Sequence, residues 1–170
     1  MSDFKLKAIR ITHPGEVAAN GDVAPMETDN SLREFYSHVT RGYQFLEKKL
    51  GGKALFFYLR YQNTFNALPD FIDPFMFPQE TLLTEFFVPN NSLIYYSRKW
   101  ETGPMLEGPV TFDIDENRLD CPEYQKLIED DWENIFITKT NIYLNQEDLE
   151  GVCKRIPRNS IIRQYKMRGG

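Results

Sequence analysis

The sequence predicts an α+β domain: a mainly antiparallel sheet with one long amphipathic helix over residues 31–50 and two shorter helices packed on it. Three observations predict it. Short apolar stretches with strand-like character alternate irregularly with helical periodicity, without the regular cadence of βαβ units. One segment, from Leu32 to Leu50, carries apolar residues at spacings of three and four. And 13 of the 24 aromatic residues fall between Ala54 and Trp100, a stretch divided by Pro69, Pro74, Pro78 and Pro89. Aromatic side chains bury the most surface per residue, so this middle third concentrates the core. At 170 residues, with no internal repeat, linker or low-complexity tract, the chain reads as a single globular domain, 1–170.

Each element follows from its local pattern. Phe4, Leu6 and Ala8 alternate with Lys5, Lys7 and Ile9, as in a half-buried first strand. His13–Asn30, rich in Gly, Pro, Asn and small residues, is a surface loop. Ser31 and Glu34 form a capping box for the long helix. Its apolar face is Leu32, Phe35, Tyr36, Val39, Tyr43, Leu46 and Leu50, and Gly51-Gly52 closes it. Phe35 and Leu46 are expected in the core. Gly42 weakens this helix by about 1 kcal/mol relative to alanine.

Ala54–Gln62 is short, apolar and aromatic, which suits a central strand covered on both faces. The Pro-punctuated Asn63–Pro78 cannot continue as helix or strand. Gln79–Phe87 is compatible with a short helix or the start of a strand, and Ser92–Trp100 reads as a strand. Glu101–Gly108 is a turn-rich connection. Pro109–Asp115 then reads as a strand with Val110, Phe112 and Ile114 on one face. Pro122 opens a helix to about Asn134, with Tyr124, Leu127, Ile128 and Trp132 as its stripe. Ile135–Leu144 reads as a strand, and Asn145 caps a short helix over Gln146–Arg155. Asn159–Lys166 is a last strand or helix.

Charge is unevenly spread. Residues 107–150 hold thirteen acids against three bases, a net −10, whereas residues 151–170 hold six bases and no acid. Either the two segments lie side by side and neutralise each other, or each offers a field to a partner. The acids Asp113, Asp115, Glu116, Asp120, Glu129, Asp130, Asp131 and Glu133 would then face a basic protein. Phe75 and Phe77, in the Pro-bounded stretch, would supply apolar anchors. The basic segment has no RNA- or DNA-binding signature and only Tyr165 for stacking, so nucleic acid is a poor fit.

Catalytic patterns are scarce. There is no nucleophile elbow, P-loop or dinucleotide fingerprint. His13 falls in a loop, His38 falls beside the apolar stripe, and nothing local brings Cys121 or Cys153 to either. Asp113-Ile114-Asp115-Glu116-Asn117 begins like a calcium loop, but Arg118 and Tyr124 stand where that loop needs Gly and Glu. No spacing suits zinc. The sequence therefore points to no metal and no cofactor. No apolar run is long enough to span a membrane, and the N-terminal residues lack an apolar signal region, so a cytoplasmic protein with reduced thiols is expected.

These features together favour a non-enzymatic acidic binding protein, an inhibitor of the immunity or antitoxin kind that occludes a basic toxin or nuclease. The alternatives are a viral or phage type of assembly protein that self-associates through its aromatic segment, and an enzyme using carboxylates around Asp113 and Asp115.

Overall fold

The computed structural model describes residues 5–26, 40–59, 80–138 and 149–167. Among them seven strands form one sheet: β1 Lys7–Thr12, β2 Leu55–Leu59, β3 Leu82–Phe87, β4 Leu93–Tyr96, β5 Phe136–Ile137, β6 Leu149–Cys153 and β7 Ile161–Lys166. Three α-helices accompany the sheet in the described residues: α1 Thr40–Leu50, α2 Ser97–Thr102 and α3 Pro122–Trp132. The strand order is β5-β4-β6-β2-β1-β3-β7, and every neighbouring pair is antiparallel. The α+β class with an antiparallel sheet is the observed one.

One row of residues crosses the whole sheet at matched register: Phe136, Tyr95, Glu150, Tyr58, Ile9, Glu85 and Arg163. Residues paired across antiparallel strands share a face, so all seven project to one side. On that side α1 lays Tyr43, Leu46 and Leu50 into a cluster with Phe56, Tyr95, Trp100 and Val152. The alternate residues fill the opposite side with Ala8, Leu55, Phe57, Phe86, Ile94 and Cys153, joined by Val23 and Ile156. Burial on both faces explains why β2 shows no polar alternation.

Within the row, burial pushes the Tyr95 phenol well above its ordinary value, and the neighbouring Glu150 carboxylate adds to the rise. The Ser97 hydroxyl donates to Glu150 at 3.0 Å, and Arg163 pairs with the buried Glu85. Glu150 and Glu85 are held in the row by partners of the right chemistry, the Ser97 hydroxyl and the Arg163 guanidinium.

Several elements depart from the sequence expectation. Ser92–Trp100 is not one strand: β4 ends at Tyr96 and α2 begins at Ser97. The turn brings Trp100 back onto Tyr95, with ring centroids 5.6 Å apart, and onto Tyr43 at 6.1 Å. Pro109–Asp115 joins no strand at all. Gln146–Arg155 is not a helix over its described part, because Leu149–Cys153 is β6, the strand between β4 and β2. Gly151 makes that packing possible: a Cβ there would stand 2.4 Å from the buried Phe57 ring. A glycine inside a strand marks such a close approach.

Gln79–Phe87 resolves as strand β3 and Asn159–Lys166 as strand β7. Of Ile135–Leu144, Phe136 and Ile137 form β5 and residues from 139 lie outside the described ones. Of the helix expected over residues 31–50, the described residues show the 11-residue α1, Thr40–Leu50, and one long helix is not established. The Ser31–Glu34 capping box, Phe35 and His38 lie outside the described residues.

Gly42 reverses its expected role. A Cβ there would stand 2.3 Å from the Pro104 carbonyl oxygen and 2.8 Å from its carbon. That neighbour is backbone and cannot swing aside, so the missing side chain is what seats α1 on the 104–106 turn. Helix propensity alone favours Gly42→Ala by about 1 kcal/mol. Overpacking costs about 1–3 kcal/mol, so the variant should be the less stable protein. A rise in the urea midpoint would show that α1 and the turn are not in contact.

Candidate functional site

The acids singled out in the sequence divide between two places, both set by α3. This helix starts at Pro122, whose fixed φ and missing N–H suit a first turn. Glu123 beside it complements the positive end of the helix. The Cys121 thiol donates to Glu123 at 2.9 Å, and this bond, with a backbone hydrogen bond, lowers the Glu123 pKa. Tyr124, Ile128 and Trp132 are buried at intervals of four, and Asp131 is buried beside Trp132.

The preceding segment is laced to this buried side of α3. Trp132 Nε1 donates to the Gly108 carbonyl at 2.7 Å. Asp131 accepts the Val110 and Thr111 N–H groups at 2.6 and 3.2 Å, and the Thr111 hydroxyl as well. Two turns earlier, the Tyr124 hydroxyl accepts the Asp115 N–H at 2.7 Å. Phe112 packs edge-on to Tyr124, and the Arg118 guanidinium lies 4.6 Å above the Tyr124 ring.

Asp131 is therefore no surface acid. It is 6% exposed and its oxygens are committed to the 110–111 backbone. Its place in a run of four acids, Glu129 to Glu133 with only Trp132 between, hid this in the sequence. Its helical spacing from Tyr124 and Ile128 was the available signal.

Asp113, Asp115, Glu116 and Asp120 all stand exposed along the laced segment. Asp115 also caps the following 3-10 turn through the Asn117 N–H. Two apolar side chains are exposed as well, Ile114 at 40% on this segment and Leu127 at 48% on α3. Leu127 is one turn from both Tyr124 and Asp131, the two α3 residues that hold the segment at its ends.

The remaining acids line a groove of about 730 Å³ between α1 and α3. Glu129 faces Arg41 at 3.9 Å, Glu133 meets Lys49 at 2.5 Å, and Asp130 meets Lys126 at 3.0 Å on its own helix. Phe45 forms part of the lining, its ring 5.4 Å from Trp132 and 6.0 Å from Phe136. This half of the acidic stretch is largely neutralised by α1. Phe75 and Phe77 lie outside the described residues.

The basic segment is answered elsewhere. Arg155 pairs with Asp22, the Arg158 N–H donates to Asp22 at 2.7 Å, and Arg163 pairs with Glu85. These pairs of Arg155 and Arg163 both go to acids outside the 107–150 stretch. The Arg158 N–H, with Arg155 and Asn20, lowers the Asp22 pKa from its ordinary 3.8. A lowered carboxyl stabilises the fold above its unfolded pKa and loses that contribution as pH falls through the folded value. The melting-temperature gap between wild type and Asp22→Asn should accordingly be full at neutral pH and close as pH drops below 3.8. A gap constant down to pH values well below that would remove Asp22 from this role.

The other reactive residue types are occupied or buried. His13 Nδ1 accepts the Gly15 N–H at 2.9 Å and caps a 3-10 turn. Burial pushes the Cys153 thiol up to about 12, so it is held protonated. Among the described residues, no group of three His, Cys, Asp or Glu side chains is placed to hold a metal ion. No helix there is long and apolar enough to cross a membrane. The described residues so far define an antiparallel α+β fold in which Asp113, Asp115, Glu116 and Asp120 stand exposed on the segment laced to α3. Comparison with protein-family models, curated proteins and solved structures finds no match to this chain.

Proposed function

We propose that the chain is a non-enzymatic binding protein that docks a basic protein through the 113–120 segment and the adjoining face of α3. In this reading it is a cytoplasmic inhibitor of the immunity or antitoxin kind, occluding a basic toxin or nuclease. The observation that carries the reading is the exposure of Asp113, Asp115, Glu116 and Asp120, with Ile114 on the same segment and Leu127 on α3 also exposed. An apolar centre with a charged rim is the usual anatomy of a protein interface. A nuclease cleft is positive because it holds phosphates, and a dense acidic surface competes for it.

The test uses the full chain to capture its partner from the native host, followed by stopped-flow binding of that partner across a salt series. Raising salt from 0.1 to 1 M shortens the screening length from about 10 to about 3 Å. The association rate should fall over that range. Reversing Asp113 and Glu116 to lysine should slow association more than it speeds dissociation, since both lie at a rim. A rate flat in salt and untouched by the double reversal would overturn the reading.

A further inference from the structure

We propose that the 112–115 segment of one molecule adds as a strand to the outer edge of β7 in a second copy of this chain. The inference rests on the docking role given to that segment above and supplies an occupant for a second surface. The segment has the sequence of a strand, with Phe112 and Ile114 alternating with Asp113 and Asp115, yet it pairs with no strand in its own fold. The flanking N–H groups of Val110, Thr111 and Asp115 are taken by Asp131 and Tyr124. Those of Phe112, Asp113 and Ile114 have no acceptor among the described residues. Asp115 holds an extended backbone at φ −100° and ψ 100°. Backbone N–H groups without an acceptor are what strand addition consumes.

β7 offers the complementary edge. Among the described residues its only strand neighbour is β3, and no described strand pairs with its other edge. It exposes Ile162 at 38% and Tyr165 at 43%, with Arg158, Arg163 and Lys166 exposed on or beside it. An antiparallel register that sets Asp113 opposite Arg163 also sets Ile114 against Ile162. Charge and apolar pattern then agree together, as favourable cross-strand pairs do. Pairing β7 with its own copy would instead bring basic residues together.

The two surfaces cannot meet within one molecule. Val110, at the start of the segment, packs in the cluster that holds Phe136 of β5, and β5 and β7 are the two ends of the strand order. Six strand spacings separate those ends, about 29 Å. A contact between unlike surfaces at opposite ends is heterologous, so it joins molecules head to tail and continues beyond a dimer.

Sedimentation velocity on the full chain tests this at 0.01 and 1 M salt, where the screening length is about 30 and about 3 Å. Mass should grow with protein concentration at low salt and return toward the monomer at high salt. Asp113→Lys with Glu116→Lys, and separately Arg158→Glu with Lys166→Glu, should each abolish the growth. All four positions are exposed, and matched thermal unfolding checks that both variants fold. Mixing the two variants should give a dimer without further growth, because the unaltered segment of one then meets the unaltered β7 edge of the other. A wild type monomeric at every concentration in low salt overturns the inference, as does a mixture that stays monomeric. Dimers blocked by the β7 variant alone would mean symmetric β7 pairing and also overturn it. Failure here, with the captured basic partner still lost on reversing Asp113 and Glu116, leaves the proposed function standing. Self-association with partner binding unchanged by that reversal sinks the proposed function instead.

Discussion

Trp132→Ala should lower the unfolding free energy by about 3–5 kcal/mol, the range for removing a fully buried large aromatic. Trp132 is wholly buried, and its ring meets Phe45 edge-on at 5.4 Å. The Arg41 guanidinium lies 5.8 Å from the same ring. Its indole N–H also holds the Gly108 carbonyl, so truncation removes a hydrogen bond along with the burial. The damage should extend beyond stability. Gly108 begins the segment that Asp131 and Tyr124 hold in place, so the acidic patch should loosen before the whole protein unfolds. Trp132→Phe separates the two contributions, keeping most of the buried volume while losing the donor. Urea unfolding measures both variants. A loss below 1 kcal/mol for the alanine variant would mean that α3 is not seated on the cluster around Phe45.

Leu46→Ala should cost about 2–5 kcal/mol. Leu46 is fully buried where α1 meets the sheet, in one cluster with Tyr95, Trp100, Ile135 and Val152. Those neighbours come from four separate elements, and their rings and branched chains have no single direction in which to collapse. The cost should therefore lie in the upper part of the range. Lys48→Ala, at an exposed position on the same helix, is the control and should change stability by less than about 0.5 kcal/mol. Equal losses in the two variants would mean that α1 contributes through helicity and not through packing.

The fold was legible wherever local pattern and final packing agree. Leu46 announced itself by helical spacing, β2 by its unbroken apolar run, and α3 by Pro122 and the Tyr124–Ile128–Trp132 stripe. Misreadings arose where a distant residue decided the outcome. Asn145 and the polar run after it mimic a helix start, but Gly151 is shaped by the Phe57 ring across the strand. Gly42 looked like a flaw because Pro104, far along the chain, does not show in the helix sequence. Val110 to Asp115 has the alternation of a strand, and only the commitments of Asp131 and Tyr124 fasten it to a helix instead. For the candidate surface, the sequence identified the acids but could not sort them. Glu129, Asp130 and Glu133 meet cations, Asp131 is interior, and Asp113, Asp115, Glu116 and Asp120 remain outward.

The strand order has a consequence for biosynthesis. β4 with β5 forms one block and β2 with β1 and β3 another, and the only strand between the blocks is β6. While the ribosome has made the chain only as far as the residue before Leu149, both blocks present bare ladders with no mate. Such edges are templates for pairing with the wrong chain. The sheet becomes one object only when a five-residue strand with a glycine at its centre slides between them. β6, made after the strands on both sides of it, thus acts as a keystone, and errors in it fall on both blocks at once.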